Sequence, residues 1–311
     1  MEATLKDSHV PPPRGYLLVG GRGAHRVGSM QRLLTTPTGT TLCVEQTGVA
    51  TGPLVLALEG HSAQLIQTPS AWARTLAGAG CHVVRVDNRD VGRSQRFDVP
   101  GQDAYTLVDM AQDVHGLLEV LDAGPAVVCG HSMGGAVAQL LALDHPEDVV
   151  GLVLMSTWAA SAPAAPRSAV PAPFTDEEGF VAYEQVALPR GAGSRYPLVP
   201  SQVEALARAM WARGVDWDGI ERQSLAISRT PPWAHRLAEL AARCRAGELG
   251  VDIVHGTQDT TVDPAAAAAL HQALPGSRLH LVPGMGHLWP AALAVPVAEA
   301  ALALATSWPG P

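Results

Sequence analysis

Eight short apolar runs, each bounded by turn-forming residues, constrain the fold of this chain more than any other feature of its sequence. Helical patterns separate the later runs, and the clearest extends from Thr106 to Asp122, where apolar residues recur at helical spacing. Strands that alternate with helices require right-handed crossovers, which produce a mostly parallel sheet with helices on both faces. We therefore predict an α/β fold with eight strands: LLTTP, TLCVEQ, LVLALE, HVVRVD, AVVCG, GLVLMS, VDIVHG and RLHLVP.

Two segments that lack the alternation of strands and helices predict the domain organisation. Residues 1–29 are rich in proline and glycine and show no sustained period, which favours a flexible extension without a chemical role. Residues 158–233 contain no good strand but several helical stretches and many prolines. We interpret them as an inserted helical cap, which leaves residues 30–157 and 234–311 as the α/β core.

Composition argues against several classes of partner. The 311 residues carry a formal net charge of −8 and no run of Lys or Arg, which disfavours nucleic acid and anionic membranes as partners. Four cysteines lie far apart, no clustered metal-ligand spacing occurs, and no stretch is apolar enough to span a membrane. We expect a cytoplasmic protein with reduced thiols, a small-molecule substrate and neither metal nor organic cofactor, and the oligomeric state stays open.

The stretch VVCGHSMGGAVAQ, residues 127–139, matches G-x-S-x-G directly after a predicted strand and directly before a predicted helix. In that context a sharp turn lifts the Ser132 hydroxyl above the carboxyl edge of the sheet and strains the serine backbone. The glycines at 130 and 134 then leave the space that side chains would occupy. The motif predicts a nucleophilic serine.

A nucleophilic serine requires a base and an acid that orients the base, and on this kind of sheet the chain order is Ser, acid, His. Asp259 follows the run VDIVHG and His287 follows the run RLHLVP, so both project from the same sheet edge as Ser132. Asp263 is the nearest alternative acid, but Asp263-Pro264 is typical of a helix N-cap. We predict that Ser132, His287 and Asp259 form a catalytic triad.

An acyl-transfer site also needs two N–H donors for the oxyanion, and we predict the backbone amides of His61 and Met133. The other histidines that we considered are interpreted as core or surface residues: His131, His145, His235, His255, His271 and His280.

Five motifs in this order resemble the α/β-hydrolase family, over nearly the whole chain from Met30 onward. LVLALEGH resembles the oxyanion-loop strand, DNRDVGRS the loop after the fourth strand, GHSMGG the nucleophile turn, HGTQD the acid loop and PGMGH the histidine loop. The Arg-Asp-x-Gly-Arg-Ser motif and the cap position are similar to aclacinomycin-methylesterase-like hydrolases of bacterial natural-product pathways. The resemblance implies the α/β-hydrolase fold.

Two positions depart from the family pattern. Glu59-Gly60 replaces the usual His-Gly of the oxyanion loop, and Asp90 stands where many relatives carry Gly. We expect the Glu59 carboxylate to be paired or its pKa to be raised by burial, and we favour a structural over a catalytic role.

The sequence predicts a serine hydrolase that cleaves a carboxylic ester through an acyl-enzyme. The same scaffold could support cofactor-free perhydrolase, carbon–carbon hydrolase or cyclase chemistry, or a non-catalytic receptor, although the intact triad argues against a receptor.

Seven aromatic residues of the insertion predict an apolar roof that prefers bulky or polycyclic esters, with packing inside the cap as the alternative for each ring. These residues are Trp158, Phe174, Phe180, Tyr183, Trp211, Trp217 and Trp233.

Overall fold

A single eight-stranded sheet forms the centre of the computed structural model, which describes residues 26–97, 105–158 and 173–307. The strands are β1 (Arg26–Thr35), β2 (Thr41–Val49), β3 (Leu54–Leu58), β4 (His82–Val86), β5 (Ala126–His131), β6 (Val149–Met155), β7 (Gly250–Gly256) and β8 (Arg278–Val282). Their order in the sheet is β1-β2-β4-β3-β5-β6-β7-β8, with β2 antiparallel to β1 and β4 and every other pair parallel. The predicted α/β fold is confirmed, because each predicted run overlaps one strand.

The first strand begins earlier than the sequence indicated. β1 starts at Arg26, whereas the prediction placed the start of the core at Met30. The pairing of β1 with β2 shifts register between Val27 and Met30. A register shift of this kind interrupts a regular strand pattern, and the predicted run LLTTP covers only the end of β1.

Among the described residues, six helices cover the two faces of the sheet. On one face lie α2 (Leu107–Leu121), α3 (Met133–Asp144), α7 (Leu237–Ala246) and α8 (Ala265–Ala273), whereas α1 (Ser70–Gly78) and α9 (Ala294–Ser307) cover the other. Neighbouring residues of β3 point to opposite faces, since Leu56 packs in the first core and Val55 in the second. α2 begins at the predicted cap, where Thr106 and Asp109 form a reciprocal capping box.

In the described part of the chain, three further helices lie between β6 and α7: α4 (Glu177–Ala192), α5 (Pro200–Arg213) and α6 (Trp217–Arg229). They lie within the predicted insertion, and we refer to residues 173–233 as the cap. Their shared core contains Phe174, Phe180 and Met210. The cap therefore has a small apolar centre of its own.

Buried ion pairs attach the cap to the loop after β4. Arg213 of α5 pairs with Asp87, and Arg222 of α6 donates two hydrogen bonds to the Asp90 carboxylate at 2.8 and 3.0 Å. Asp90 has a φ of 70°, a conformation that glycine adopts without strain. The bidentate bond to Arg222 offsets that strain and explains why an aspartate occupies this position.

Within the described ranges, no helix has the length and apolar character needed to cross a membrane. The four cysteines are all unpaired.

Candidate active site

Ser132 lies in the turn between β5 and α3, at the carboxyl edge of the sheet. Its φ of 52° and ψ of −118° are strained for a residue with a side chain. A Cβ on Gly134 would lie 2.2 Å from the Leu58 carbonyl oxygen, so only glycine fits there. The Thr157 hydroxyl donates a hydrogen bond to the Ser132 carbonyl oxygen at 2.8 Å and thereby stabilises the turn.

His287 lies within hydrogen-bond distance of both other residues of the predicted triad. The Ser132 hydroxyl lies 3.0 Å from Nε2 of His287, and Nδ1 of His287 lies 2.8 Å from Oδ2 of Asp259. This arrangement suits a neutral imidazole that donates from Nδ1 to the carboxylate and accepts the serine proton at Nε2.

Asp259 is buried and well supplied with donors. The backbone amides of Thr261 and Val262 donate to its Oδ1 at 2.8 and 2.9 Å, and Nε2 of His255 lies 3.2 Å from its Oδ2. Burial alone would raise the pKa of Asp259, but the hydrogen bonds from His255 and His287 hold it well below its usual value. The carboxylate is therefore ionised and oriented before any substrate binds.

A second buried ion pair lies beneath the triad. Nδ1 of His131 lies 3.5 Å from Oε2 of Glu59, and its Nε2 donates to the carbonyl oxygen of His287 at 2.8 Å. The Thr68 hydroxyl donates to the other carboxylate oxygen of Glu59 at 2.5 Å. Of the two alternatives expected for Glu59, pairing of its carboxylate is confirmed.

The charge on this pair affects the base. Burial disfavours the imidazolium of His131, but the Glu59 carboxylate, together with the His287 carbonyl and the charge of Asp259, outweighs burial and raises the pKa of His131. Burial and, to a smaller extent, the charge of His131 lower the pKa of His287, although the bond to Asp259 opposes both. A lowered pKa keeps His287 neutral, which is the form that accepts a proton.

The two predicted oxyanion donors lie next to Ser132. Met133 is the first residue of α3, where backbone amides have no acceptor within the helix. His61 follows Gly60, whose Cα packs so close that an added Cβ would lie 3.0 Å from Cβ of Ser132. The His61 side chain contacts α6, with Nε2 2.8 Å from Oγ of Ser224. The role of these amides in holding an oxyanion stays a prediction.

A cavity of about 440 Å³, which we call the main cavity, lies between the sheet edge and the cap, with Ser132 and His287 in its wall. Its size fits a drug-sized molecule. The cap side of the wall is largely aliphatic and includes Leu188, Leu198, Val203, Leu206 and Met210.

The aromatic residues occupy a different place from the one predicted. None of the seven lines the main cavity. Trp158 and Trp233 pack in the core of the sheet, and the other five pack in or against the cap core. The predicted aromatic roof was therefore wrong for these seven residues, because their rings pack in the core of the sheet or against one another in the cap. Tyr196, which was not among the seven, is an aromatic residue of the cap that lines the main cavity.

Local structure explains Asp263, the alternative acid from the sequence. The Asp263 carboxylate accepts a hydrogen bond from the Ala265 amide at 2.8 Å, as expected of a residue that caps α8. A cluster of His115, His145 and Asp148 lies at the far end of α3 from Ser132. Its two imidazole rings are stacked at 3.6 Å, and Nδ1 of His115 lies 2.7 Å from Oδ2 of Asp148.

A family model for the α/β hydrolase fold matches residues 57–289, which is most of the chain. The chain therefore belongs to the α/β-hydrolase fold family.

Among individual relatives, the chain is similar to two rhodomycin D methylesterases. It is 29% identical to that of Streptomyces sp. (strain C5), over 87% of this chain and 97% of the relative. Identity to the Streptomyces peucetius methylesterase is 30%, over 81% of this chain and 90% of the relative. A solved hydrolase from Pseudomonas aeruginosa PA01 superposes with a TM-score of 0.65 at 25% identity, covering 88% of this chain and 97% of that one. The family resemblance found in the motifs is confirmed.

Sequence reading missed two histidines of this site. His131 and His255 were interpreted as core or surface residues, whereas the structure places one against Glu59 and the other against Asp259. The position of His131 inside the G-x-S-x-G motif was one available signal. The spacing of four residues between His255 and Asp259 was the other.

Proposed function

We propose that this protein is a serine esterase that cleaves the carboxylic ester of a bulky, largely apolar small molecule through an acyl-enzyme. One observation carries the proposal: His287 bridges the Ser132 hydroxyl and the Asp259 carboxylate, at 3.0 and 2.8 Å, beside the main cavity. The methylesterase relatives support ester hydrolysis as the reaction.

In the proposed acylation step, Oγ of Ser132 attacks the ester carbonyl carbon while Nε2 of His287 accepts the hydroxyl proton. The ionised Asp259 stabilises the resulting imidazolium and keeps Nδ1 protonated. The amides of His61 and Met133 donate hydrogen bonds to the oxyanion. When the tetrahedral intermediate collapses, Nε2 of His287 returns the proton to the alkoxide, which leaves as an alcohol.

Deacylation repeats these roles with water. His287 takes a proton from a water molecule, which attacks the acyl carbonyl carbon and forms a second oxyanion at the same two amides. Collapse of this intermediate breaks the bond to Oγ of Ser132, and His287 protonates the serine. The products are a carboxylic acid and the alcohol.

The aliphatic cap wall supports a bulky, apolar acyl group, and the names of the two relatives support a methyl ester as the bond that is cleaved. We further propose a role in bacterial natural-product biosynthesis and a cytoplasmic location. The unpaired cysteines are consistent with a reducing compartment.

The test compares methyl esters of a flat polycyclic aromatic acid, a linear fatty acid and acetic acid, with methanol release as the readout. We expect kcat/KM to be highest for the polycyclic ester and lowest for acetate, because only a large acyl group buries its surface in the cavity. A fluorophosphonate probe should label the wild type on Ser132.

The matched control is Ser132→Ala, which removes a single oxygen atom. It should show neither methanol release nor labelling. Equal kcat/KM values for the acetate and polycyclic esters would contradict the proposed substrate class, and labelling of another residue would contradict the nucleophile.

A further inference from the structure

Glu184 occupies an unusual position on the inward face of α4. Phe180, Glu184, Leu188 and Ala192 recur every fourth residue and so share one face of the helix. Only 9% of the Glu184 surface is exposed. Buried carboxyl groups are costly unless they are paired, so a residue of this type on an inward face requires an explanation.

Glu184 has no hydrogen bond or ion pair with any residue that the structure describes. Burial raises the pKa of Glu184 to about 7. The other carboxyl groups of the cavity walls differ, since Glu59 pairs with Thr68 and His131, and Arg222 bonds both Asp90 and Asp216. An aliphatic residue at position 184 would avoid this cost, so the carboxyl group is best explained by a ligand.

The location of Glu184 indicates what that ligand contacts. Glu184 lines the main cavity and also a smaller one of about 80 Å³, which we call the side cavity. Because Ser132 lines the main cavity as well, one elongated ligand can reach both residues. Four aromatic residues line the side cavity: Phe174, Phe180, Tyr183 and Trp217.

The side cavity combines features that favour a cation. Aromatic faces carry negative charge density and attract ammonium groups. Asp90 and Asp216 also line the side cavity, but both are bonded to Arg222, so the unpaired carboxyl group there is that of Glu184. No Lys or Arg lines either cavity among the described residues. A hydroxyl can bond the neutral form of Glu184 but leaves the charge of its carboxylate form uncompensated, and an anion would be repelled by that charge. A protonated amine neutralises the carboxylate form and so favours it.

We propose that Glu184 and the side cavity bind a protonated amine of the substrate, so that the substrate is an apolar ester with a basic nitrogen remote from the scissile bond. The inference rests on the proposed esterase function, because it places the amine and the ester at opposite ends of one ligand. It assigns Glu184 a role in specificity and none in the chemical steps.

The experiment measures binding by calorimetry in the Ser132→Ala background, where the ligand is not consumed. The probes are arylalkyl methyl esters that end in a dimethylammonio group, each paired with the neutral isopropyl isostere, over a range of spacer lengths. At the best spacer, we expect the amine to bind roughly 10-fold to 100-fold more tightly than its isostere, as for a hydrogen bond to a charged group. Adding Glu184→Gln should reduce that ratio to about 2-fold or less.

Glu178→Gln is the matched control, because Glu178 lies on the same helix and carries the same charge but is exposed and paired with Arg208. It should leave the ratio unchanged. A ratio near one with Glu184 present, or a ratio that Glu184→Gln does not reduce, would overturn the inference. If the wild type hydrolyses no ester of the series while the binding ratio persists, the proposed esterase function fails and the amine site stands.

Discussion

The sheet edge and the cap each contain a buried carboxyl group, and the two groups behave in opposite ways. Glu184 of the cap lines the main cavity, whereas Asp259 of the sheet edge lies behind His287, which lines it. Asp259, at the sheet edge, is surrounded by donors that hold its pKa well below the usual value despite burial. Glu184, in the cap, has no donor among the described residues, and burial raises its pKa to about 7. Two carboxyl groups of similar burial therefore differ in charge, because their hydrogen-bond partners differ. Asp259 is ionised at neutral pH, whereas the ionisation of Glu184 depends on pH and on a bound partner.

This difference matches what each region does in the proposed reaction. The sheet edge must stabilise an imidazolium in every turnover, whatever the substrate, so its donors are part of the fold. The cap must distinguish one substrate from another. A carboxyl group without a protein partner can do so, because it favours a ligand that supplies the missing charge and hydrogen bond. The cost is a loss of stability that a paired or apolar residue would not impose.

The largest expected effect is at the sheet edge. Ser132→Ala should lower kcat on a p-nitrophenyl ester by a factor on the order of 10⁶, because no other oxygen is positioned to attack. Circular dichroism and thermal unfolding should match the wild type. A retained pre-steady-state burst of p-nitrophenolate in this variant would show that another residue is the nucleophile.

Asp259→Asn should lower kcat by about 10⁴, since the amide can no longer hold His287 in the reactive tautomer. Asp263→Asn provides the comparison, because Asp263 caps α8 and should affect stability by about 1 kcal/mol with little change in kcat. Steady-state kinetics of the two variants decide the acid, and exchanged results would assign it to Asp263.

Glu184→Gln tests the cap side of the comparison through stability. Glu184 binds its proton more tightly in the folded protein, where its pKa is about 7, than at its ordinary value of 4.5. Its contribution to the free energy of unfolding therefore falls as pH rises between these values. Each pKa unit corresponds to about 1.4 kcal/mol, so the variant should be more stable than the wild type by up to roughly 3 kcal/mol at pH 8.

Urea unfolding at pH 8 and pH 5 measures this difference, which should shrink at the lower pH. The other titratable residues of the side cavity remain in both proteins and cancel in the comparison: His61, Asp90, Tyr183 and Asp216. Glu178→Gln should show no such gain at pH 8. A stability difference between wild type and Glu184→Gln that is equal at both pH values would count against an unpaired carboxyl group at this position.

The smallest expected effect concerns the pH profile. Because the pKa of His287 is lowered, the acid limb of kcat/KM should have its midpoint below 6.5 in the wild type. His131→Asn removes a neighbouring positive charge and should move the midpoint upward by less than about one pH unit. Glu59→Gln keeps the His131 bond to the His287 carbonyl and should shift the midpoint in the same direction, since it lowers the pKa of His131. A downward shift in both variants would contradict this electrostatic account.

Much of the sheet edge was predictable from local patterns. Apolar runs between turn residues identified all eight strands, and the residues that follow three of them identified Ser132, Asp259 and His287. This worked because the carboxyl ends of parallel strands meet at one edge, so a motif of a few residues determines where a side chain lies. The first residues of β1 were not predicted, because a register shift interrupts the regular strand pattern there.

Only the tertiary structure decided the supporting contacts and the cavity walls. Glu59 and His131 are distant in sequence, and their pairing depends on how β3 and β5 lie side by side. Likewise, the direction in which each cap helix turns its aromatic rings depends on its rotation against the other cap helices. The spacing of Phe180, Glu184 and Leu188 places a carboxyl group on an apolar helix face. Whether that carboxyl group has a partner is decided by the residues that pack against it from other parts of the chain, and none of the described residues bonds it. Sequence therefore determined the sheet and the reacting groups through local geometry, whereas long-range packing decided which groups support them and what the cavity can bind.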